Sequence, residues 1–304
     1  MYMKIKNTKL SILKNGKSVG TIRNRFVNNG LDWCMAKNLN SDLIASVYPK
    51  FSSYVNNIRD DPFSYTYLKF GTIEDLDDTS TEMAIDQYLY NNEDFEYNET
   101  SRVLIYADPI DNAYAGQILS RIGFGIQTSS TSVNNFLISY VDVDFLGITF
   151  DEGDTIRIIR EDKVSTEFEV STYTSTWGIP WGLQHIYAFR GYLESITFKN
   201  KDNGQGITYP IGNLTISPST SGQISITGFG DFKYSDDGLF PSEDLYPSES
   251  LYPEAYAKYN QMVIKYTKQS SSWIGNLTET IDLNKANISN NGGTITVTYG
   301  YERG

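Results

Sequence analysis

The sequence predicts a mainly β protein: β-sandwich or barrel-like domains with one short helix near the N-terminus. Three observations carry that reading. Short runs alternate apolar and polar residues, the period of a half-buried strand. Clusters of Gly, Asn, Asp, Ser and Pro separate these runs about every 8–12 residues, as they do in sandwiches and barrels. Only one stretch spaces its apolar residues for a helix.

The chain opens on a hairpin. Lys4-Ile5-Lys6 and Leu10-Ser11-Ile12-Leu13 lead into Asn15-Gly16, and Val19-Gly20-Thr21-Ile22 and Arg25-Phe26-Val27 follow. Asn-Gly between such runs marks a two-residue turn, because both of its residues take positive φ. Asn28-Asn29-Gly30 then breaks the strand. Leu31, Cys34, Met35 and Leu39 form a helical stripe, the short helix near 31–47, and the chain continues helical or looped through Leu43, Ile44 and Val47 until Tyr48-Pro49 stops it. Tyr65 to Phe70 reads as a strand ending at Gly71, and the acidic stretch from Thr72 to Ala84 reads as a loop. Asn91 to Thr100 reads as polar and exposed. Strands are expected at Val103–Tyr106, within Phe136–Phe150 and at Thr155–Arg160.

The second half is nearly all strand and turn. Ile196-Thr197-Phe198 precedes the turn Asp202-Asn203-Gly204, and Leu214–Ile216 and Ile224–Ile226 flank Ser217–Gly222. Asp236-Asp237-Gly238 reads as another turn. Val263–Tyr266 and Thr294–Tyr299 are expected to pair with each other. At 304 residues two domains are expected: residues 1–150, β-rich with the helix, and residues 151–304, β-rich with a proline-rich strap at 239–253.

Composition narrows the chemistry. With 37 acidic and 25 basic residues the formal charge is −12, which argues against binding a nucleic-acid backbone or an anionic membrane surface. No apolar run approaches the roughly 20 residues that span a bilayer. Met1 to Lys6 lacks the apolar stretch of a leader, so the chain is expected to be made in the cytoplasm. One cysteine and one histidine give no intramolecular disulfide and no zinc site from a single chain. Nothing near His185 resembles a nucleophile elbow. Cys34 lies in the apolar stretch Leu31–Ala36 and reads as a buried, inert thiol. No catalytic residue, cofactor or metal ligand is assigned, and the chain is expected not to be an enzyme. The 23 tyrosines suit half-buried surfaces, in sheets or between subunits, although a core uses such rings too.

One internal repeat stands out: Leu239-Phe240-Pro241, Leu245-Tyr246-Pro247 and Leu251-Tyr252-Pro253 recur every six residues. Prolines at that spacing exclude an α-helix, and each residue before a proline is pushed to extended geometry. Six is a multiple of both two and three. In a strand or a polyproline helix alike, the leucines return to one side and the aromatics to another. Leu239 to Leu251 would span about 37 Å at about 3.1 Å per residue. Glu243, Asp244, Glu249 and Glu254 would face solvent or a basic partner. The strap is either a rigid loop within one subunit or a contact between subunits.

Other groupings have plainer readings beside sharper ones. Glu74, Asp75, Asp77, Asp78 and Glu82 supply oxygens that calcium favours but lack EF-hand spacing, so a solvated acidic loop is the expectation. No pair among Asp108, Asp111, Asp142, Asp144, Glu161 and Glu167 stands out as a glycosidase couple; Asp142 and Asp144 would share one face of a strand. Trp177 and Trp181 flank a turn-rich stretch with His185 close behind. Exposed, the two indoles would stack on a sugar; buried, they pin a loop.

Phe26-Val27-Asn28-Asn29-Gly30-Leu31, then Phe70-Gly71-Thr72 and Asp77-Asp78-Thr79, resemble the opening of tail, neck and baseplate-associated proteins of phages that infect low-GC Gram-positive bacteria. Those proteins carry an N-x-G-L helix entry before a G-T-G…D-T-x-L stretch, and Leu-Tyr-Pro-Ser repeats after a β-rich domain. Here Ile73-Glu74 follows Thr72 without the second glycine, and Met83 stands where leucine is usual. The resemblance implies a virion structural protein that packs against copies of itself and other phage structural proteins, with its contacts in the strap. The alternative is a receptor-binding adhesin that uses Trp177 and Trp181 on a cell-wall glycan.

Overall fold

The structure, a computed structural model, describes residues 2–54, 65–90, 94–97, 102–129, 132–165, 169–170, 174–175, 192–204, 206–230, 232–235, 238–241, 259–267, 273–274, 277–285, 287–291 and 294–304. It is mainly β, consistent with a sandwich, as the alternation and turn spacing predict. Among the described residues the strands form one nine-stranded sheet, two five-stranded sheets and two two-stranded ribbons.

The first strand, Tyr2–Lys14, lies inside the nine-stranded sheet. Along one edge it runs antiparallel to Thr155–Ser165, with Leu10 opposite Arg160 and Ile12 opposite Ile158. Its other edge is divided. Tyr2 to Ile5 pair in parallel with Gly300 to Arg303 of the last strand, Thr294–Arg303. Lys9 to Lys14 pair with the hairpin partner Lys17–Arg23. Asn15 (φ 50°) and Gly16 (φ 77°) make the turn, in the left-handed region that the Asn-Gly signal called for. The full order is Thr215–Pro218, Gln223–Thr227, Thr294–Arg303, Tyr2–Lys14, Thr155–Ser165, Arg102–Pro109 and Asp94–Tyr97, with Lys17–Arg23 and Asn287–Asn291 as side branches. Strands from both sides of residue 150 thus share this sheet.

Two smaller sheets pack on it. One orders Arg25–Phe26, Ser132–Asp142, Leu119–Ser129, Tyr65–Phe70 and Gln87–Tyr90. Arg160 crosses to it fully buried, its guanidinium 4.4 Å from the Phe124 ring centre and 5.2 Å from that of Phe26. Desolvated cation–π contacts of this kind are worth about 2 kcal/mol. The other sheet orders Glu169–Val170, Leu277–Asp282, Gln261–Thr267, Tyr192–Lys199 and Gly206–Pro210. Here the expected pairing of Val263–Tyr266 with Thr294–Tyr299 is corrected. The two belong to different sheets and meet face to face, through the phenols of Tyr266 and Tyr299. Ile12, Ile158, Phe124, Ile138, Ile196, Ile264 and Val297 belong to one continuous core.

The helical stretch splits in two. Helix α1 spans Asn28–Ala36 and α2 spans Ser41–Val47. The break is local chemistry: Asn40 accepts the Leu43 N–H (2.9 Å) and so caps a second start. Asn28-Asn29-Gly30, expected to break the strand, instead opens α1. Gly30 lets that helix lie against the neighbouring sheet, since a Cβ there would sit 2.2 Å from the Ile138 carbonyl oxygen. Trp33, Cys34, Met35 and Leu39 are fully buried.

Two further expectations change. The strand within Phe136–Phe150 ends at Asp142, and a 3-10 turn, Asp144–Leu146, follows, so Asp142 and Asp144 do not share a strand face. Asp94–Tyr97, read as part of an exposed polar stretch, is an edge strand.

Candidate interaction surface

Of the strap, Leu239, Phe240 and Pro241 fall in the strand Gly238–Pro241, which pairs antiparallel with Phe232–Ser235 (Leu239 opposite Tyr234, Pro241 opposite Phe232). Leu245, Tyr246, Pro247, Leu251, Tyr252 and Pro253 lie outside the described residues, as do Trp177, Trp181, His185 and Glu167.

The acidic loop proves to be a clasp. Leu76, Met83 and Ile85 cover an apolar patch of Val27, Tyr67, Leu137 and Tyr140. Arginines hold two of its carboxylates, those of Asp78 and Glu74. Asp78 takes Arg25 Nε at 2.6 Å and Arg303 Nη1 at 2.9 Å, and its carbonyl accepts the Asn28 N–H at 2.7 Å. The buried Arg121 donates from Nε to Asp142 (2.5 Å) and from Nη2 to the Glu74 carbonyl (2.9 Å), and lies 3.2 Å from Glu74 Oε1. Burial works to raise the Glu74 carboxyl, but the Ala84 N–H and the Arg121 charge outweigh it and hold it below the usual range. Asp77 is lowered by the Thr79 hydroxyl and N–H, closing an Asx turn.

Two of the other candidate carboxylates have structural partners. Glu161 pairs with Lys9 at 3.3 Å, and Asp111 caps a 3-10 turn through the Ala113 N–H. Burial raises Asp108. Among the described residues no three His, Cys, Asp or Glu side chains group as a metal site, and no helix is long and apolar enough to cross a membrane.

A hollow of about 290 Å³ lies between the end of α2 and residues 218–221. Its polar groups already serve the fold. Asp32 binds Lys50 (2.6 Å) and the Gly222 N–H (2.6 Å), and the Tyr48 phenol, pushed upward by burial, donates to the Gln223 carbonyl (3.2 Å).

The most open arrangement is the hairpin's outer strand. Lys17–Arg23 pairs with Tyr2–Lys14 on one side, and among the described residues nothing pairs with its other edge. Arg23 stands opposite Lys9, whose charge Glu161 answers at 3.3 Å. Lys9, Thr21, Ile22 and Arg23 line a hollow of about 430 Å³. Among the described residues neither Lys17 nor Arg23 has an ion-pair partner, in a chain of net charge −12.

Beside this strand sits the turn Asp144–Leu146. Leu146 packs against Gly20, where a Cβ would be 2.6 Å from its Cδ1. The turn closes with Leu146 N–H to Val143 and Gly147 N–H to Asp144, Gly147 taking φ 61°. Phe145 at its tip is 70% exposed, and Val19 on the strand is 38% exposed. An exposed aromatic beside an unpaired, cationic edge combines an apolar anchor with a charged rim, the make-up of a protein interface. Sequence reasoning placed the hairpin but not this surface. Its one signal is Phe145, placed where the alternation continues strand spacing.

No protein-family model, no curated protein and no solved structure matches this chain.

Proposed function

We propose that the chain is a structural subunit of a bacteriophage particle, a tail, neck or baseplate component, that works by packing against copies of itself and other virion proteins. The observation that carries the packing role is the outer edge of Lys17–Arg23, which nothing among the described residues pairs with, and Phe145 exposed beside it. An edge left open exposes a row of backbone donors and acceptors, which folded proteins otherwise cover or blunt. The phage context rests on the resemblance of Phe26–Leu31, Phe70–Thr72 and Asp77–Thr79, and the Leu-aromatic-Pro repeat supplies a second contact element. Assembly after synthesis in the host cytoplasm would place the chain in the virion.

Light scattering after size-exclusion chromatography is the test. The expected result is one defined oligomer well above the 34.4 kDa chain, with symmetry of a closed kind. A monomer at every concentration would count against self-assembly. Changing Tyr246 and Tyr252 to Ser should weaken the oligomer while leaving the circular dichroism spectrum unaltered.

A further inference from the structure

We infer that the open edge of Lys17–Arg23 is completed by strand addition, and that its occupant is the acidic segment Leu239 to Glu254 of a second copy of the chain. The inference rests on the assembly role proposed above and names the contact that builds it.

The choice of edge follows from length and charge. Gly206–Pro210 and Thr215–Pro218 end in proline and carry no charge. Gln87–Tyr90 and Asn287–Asn291 are short and uncharged. Asp94–Tyr97 carries Asp94 and Glu96. Lys17–Arg23 has seven residues, a cation at each end and Lys9 beside Arg23. Two such edges meeting each other would set cation against cation, the device by which edge strands avoid self-pairing. The complement of this edge is therefore an acidic strand.

The chain contains one of suitable chemistry. From Leu239 to Glu254 it carries Glu243, Asp244, Glu249 and Glu254 and no Lys or Arg. Its prolines do not forbid pairing. Successive N–H groups of a strand point to opposite edges, and Pro241, Pro247 and Pro253 are an even number of residues apart. In a strand all three missing donors would fall on one edge, and the other edge would keep every N–H. The described start of the segment, Gly238–Pro241, is a strand that already pairs along one edge with Phe232–Ser235, so the contact with a second copy falls to the residues after Pro241, which carry all four carboxylates. Backbone bonds would give such a contact its affinity, and the charges would fix which edge is chosen.

Charge reversal in the full-length chain tests this. Lys17→Glu with Arg23→Glu reverses the edge at two exposed side chains; Glu243→Lys, Asp244→Lys and Glu249→Lys together take the segment from four negative charges to a net positive one. Each multiple variant by itself should raise the concentration at which the oligomer dissociates at least ten-fold, with circular dichroism unchanged. An equimolar mixture of the two should assemble again, because each edge then meets a segment of opposite sign. An oligomer indifferent to edge reversal, or a mixture of folded variants that stays apart, overturns the strand-addition contact and leaves the assembly reading standing. A wild-type chain that is monomeric throughout removes both.

Discussion

Tyr266 and Tyr299 face each other between two sheets, and both donate their phenol protons to one oxygen of the fully buried Glu279, at 2.9 and 2.8 Å. Glu279 and Tyr266 belong to a five-stranded sheet, and Tyr299 to the nine-stranded one. This polar knot therefore joins two layers that share an otherwise apolar core. Tyr299→Phe keeps the ring and removes one donor to a buried carboxyl. It should cost about 1–3 kcal/mol of unfolding free energy in a denaturant titration. A loss below about 0.5 kcal/mol would show that the layers hold together without it.

Gly125 bears on a strand that the sequence hides. Leu119–Ser129 carries Gly123 and Gly125 at positions where strands prefer branched or aromatic residues, so its pattern does not announce a strand. The structure explains both. A Cβ at Gly123 would lie 2.2 Å from Met83 Sδ, and one at Gly125 would lie 2.4 Å from both the Phe136 carbonyl oxygen and the Tyr67 ring. Gly125→Ala is expected to lower stability by about 1–3 kcal/mol through overpacking. An unchanged melting temperature would mean that the strand shifts freely.

Arg121 governs the acidic loop. Arg121→Met keeps bulk but releases Asp142 and Glu74, which are 42% and 38% exposed and can regain water. The cost should fall at about 1–3 kcal/mol, below the 3–5 or so of a wholly buried pair. Hydrogen exchange at the Ala84 and Asn28 amides should quicken more than in the strands, because both are bonded to loop residues. Since arginines and turn N–H groups already engage these carboxylates, millimolar calcium should leave the melting temperature where it is. A rise of several degrees would restore a cation to the loop.

The hairpin tip should respond to acid. Lys14, first, then the Asp151 N–H and the Asn15 amide hold the Asp154 carboxyl at about 2. An unfolded aspartate titrates at about 3.9. Because the folded value is the lower, protonation favours the unfolded chain. The stabilisation is whole above pH 4 or so and is lost as pH falls toward 2. Asp154→Asn should therefore melt below wild type at neutral pH, and the gap should close between about pH 4 and pH 2. A gap constant with pH would assign the effect to side-chain packing.

How far these features can be read from sequence depends on how local their causes are. Asn15-Gly16 specifies its turn within two residues, and Asn40 marks the start of α2 to anyone who weighs a cap above an unbroken apolar stripe. Partners far apart leave no such mark. The parallel neighbours Tyr2 and Gly300 and the clasp between Arg303 and Asp78 join residues separated by most of the chain. Loop spacing alone argues against calcium in the acidic loop, but the arginines that engage it come from three other strands and leave no local mark. The alternation running past Asp142 concealed a turn, because Val143 and Phe145 keep strand spacing while only Val143 is buried.

That contrast gives the last prediction. Phe145 contributes little to the folded monomer, since its ring is mostly in water, whereas Leu146 beside it packs against Gly20 of the edge strand. Phe145→Ser should change the unfolding free energy by less than about 0.5 kcal/mol, as surface substitutions do. Leu146→Ser should cost more, by removing an apolar contact under the hairpin. If the hairpin edge and this turn are one assembly surface, the order reverses for the oligomer. An aromatic anchor at an interface is commonly worth about 2 kcal/mol or more, so Phe145→Ser should raise the dissociation concentration about thirty-fold. Measuring molar mass against concentration for both variants separates the two roles. A Phe145→Ser chain that assembles as wild type does would confine the contact to the strand edge and its charges, and would leave the exposed ring without a part in assembly.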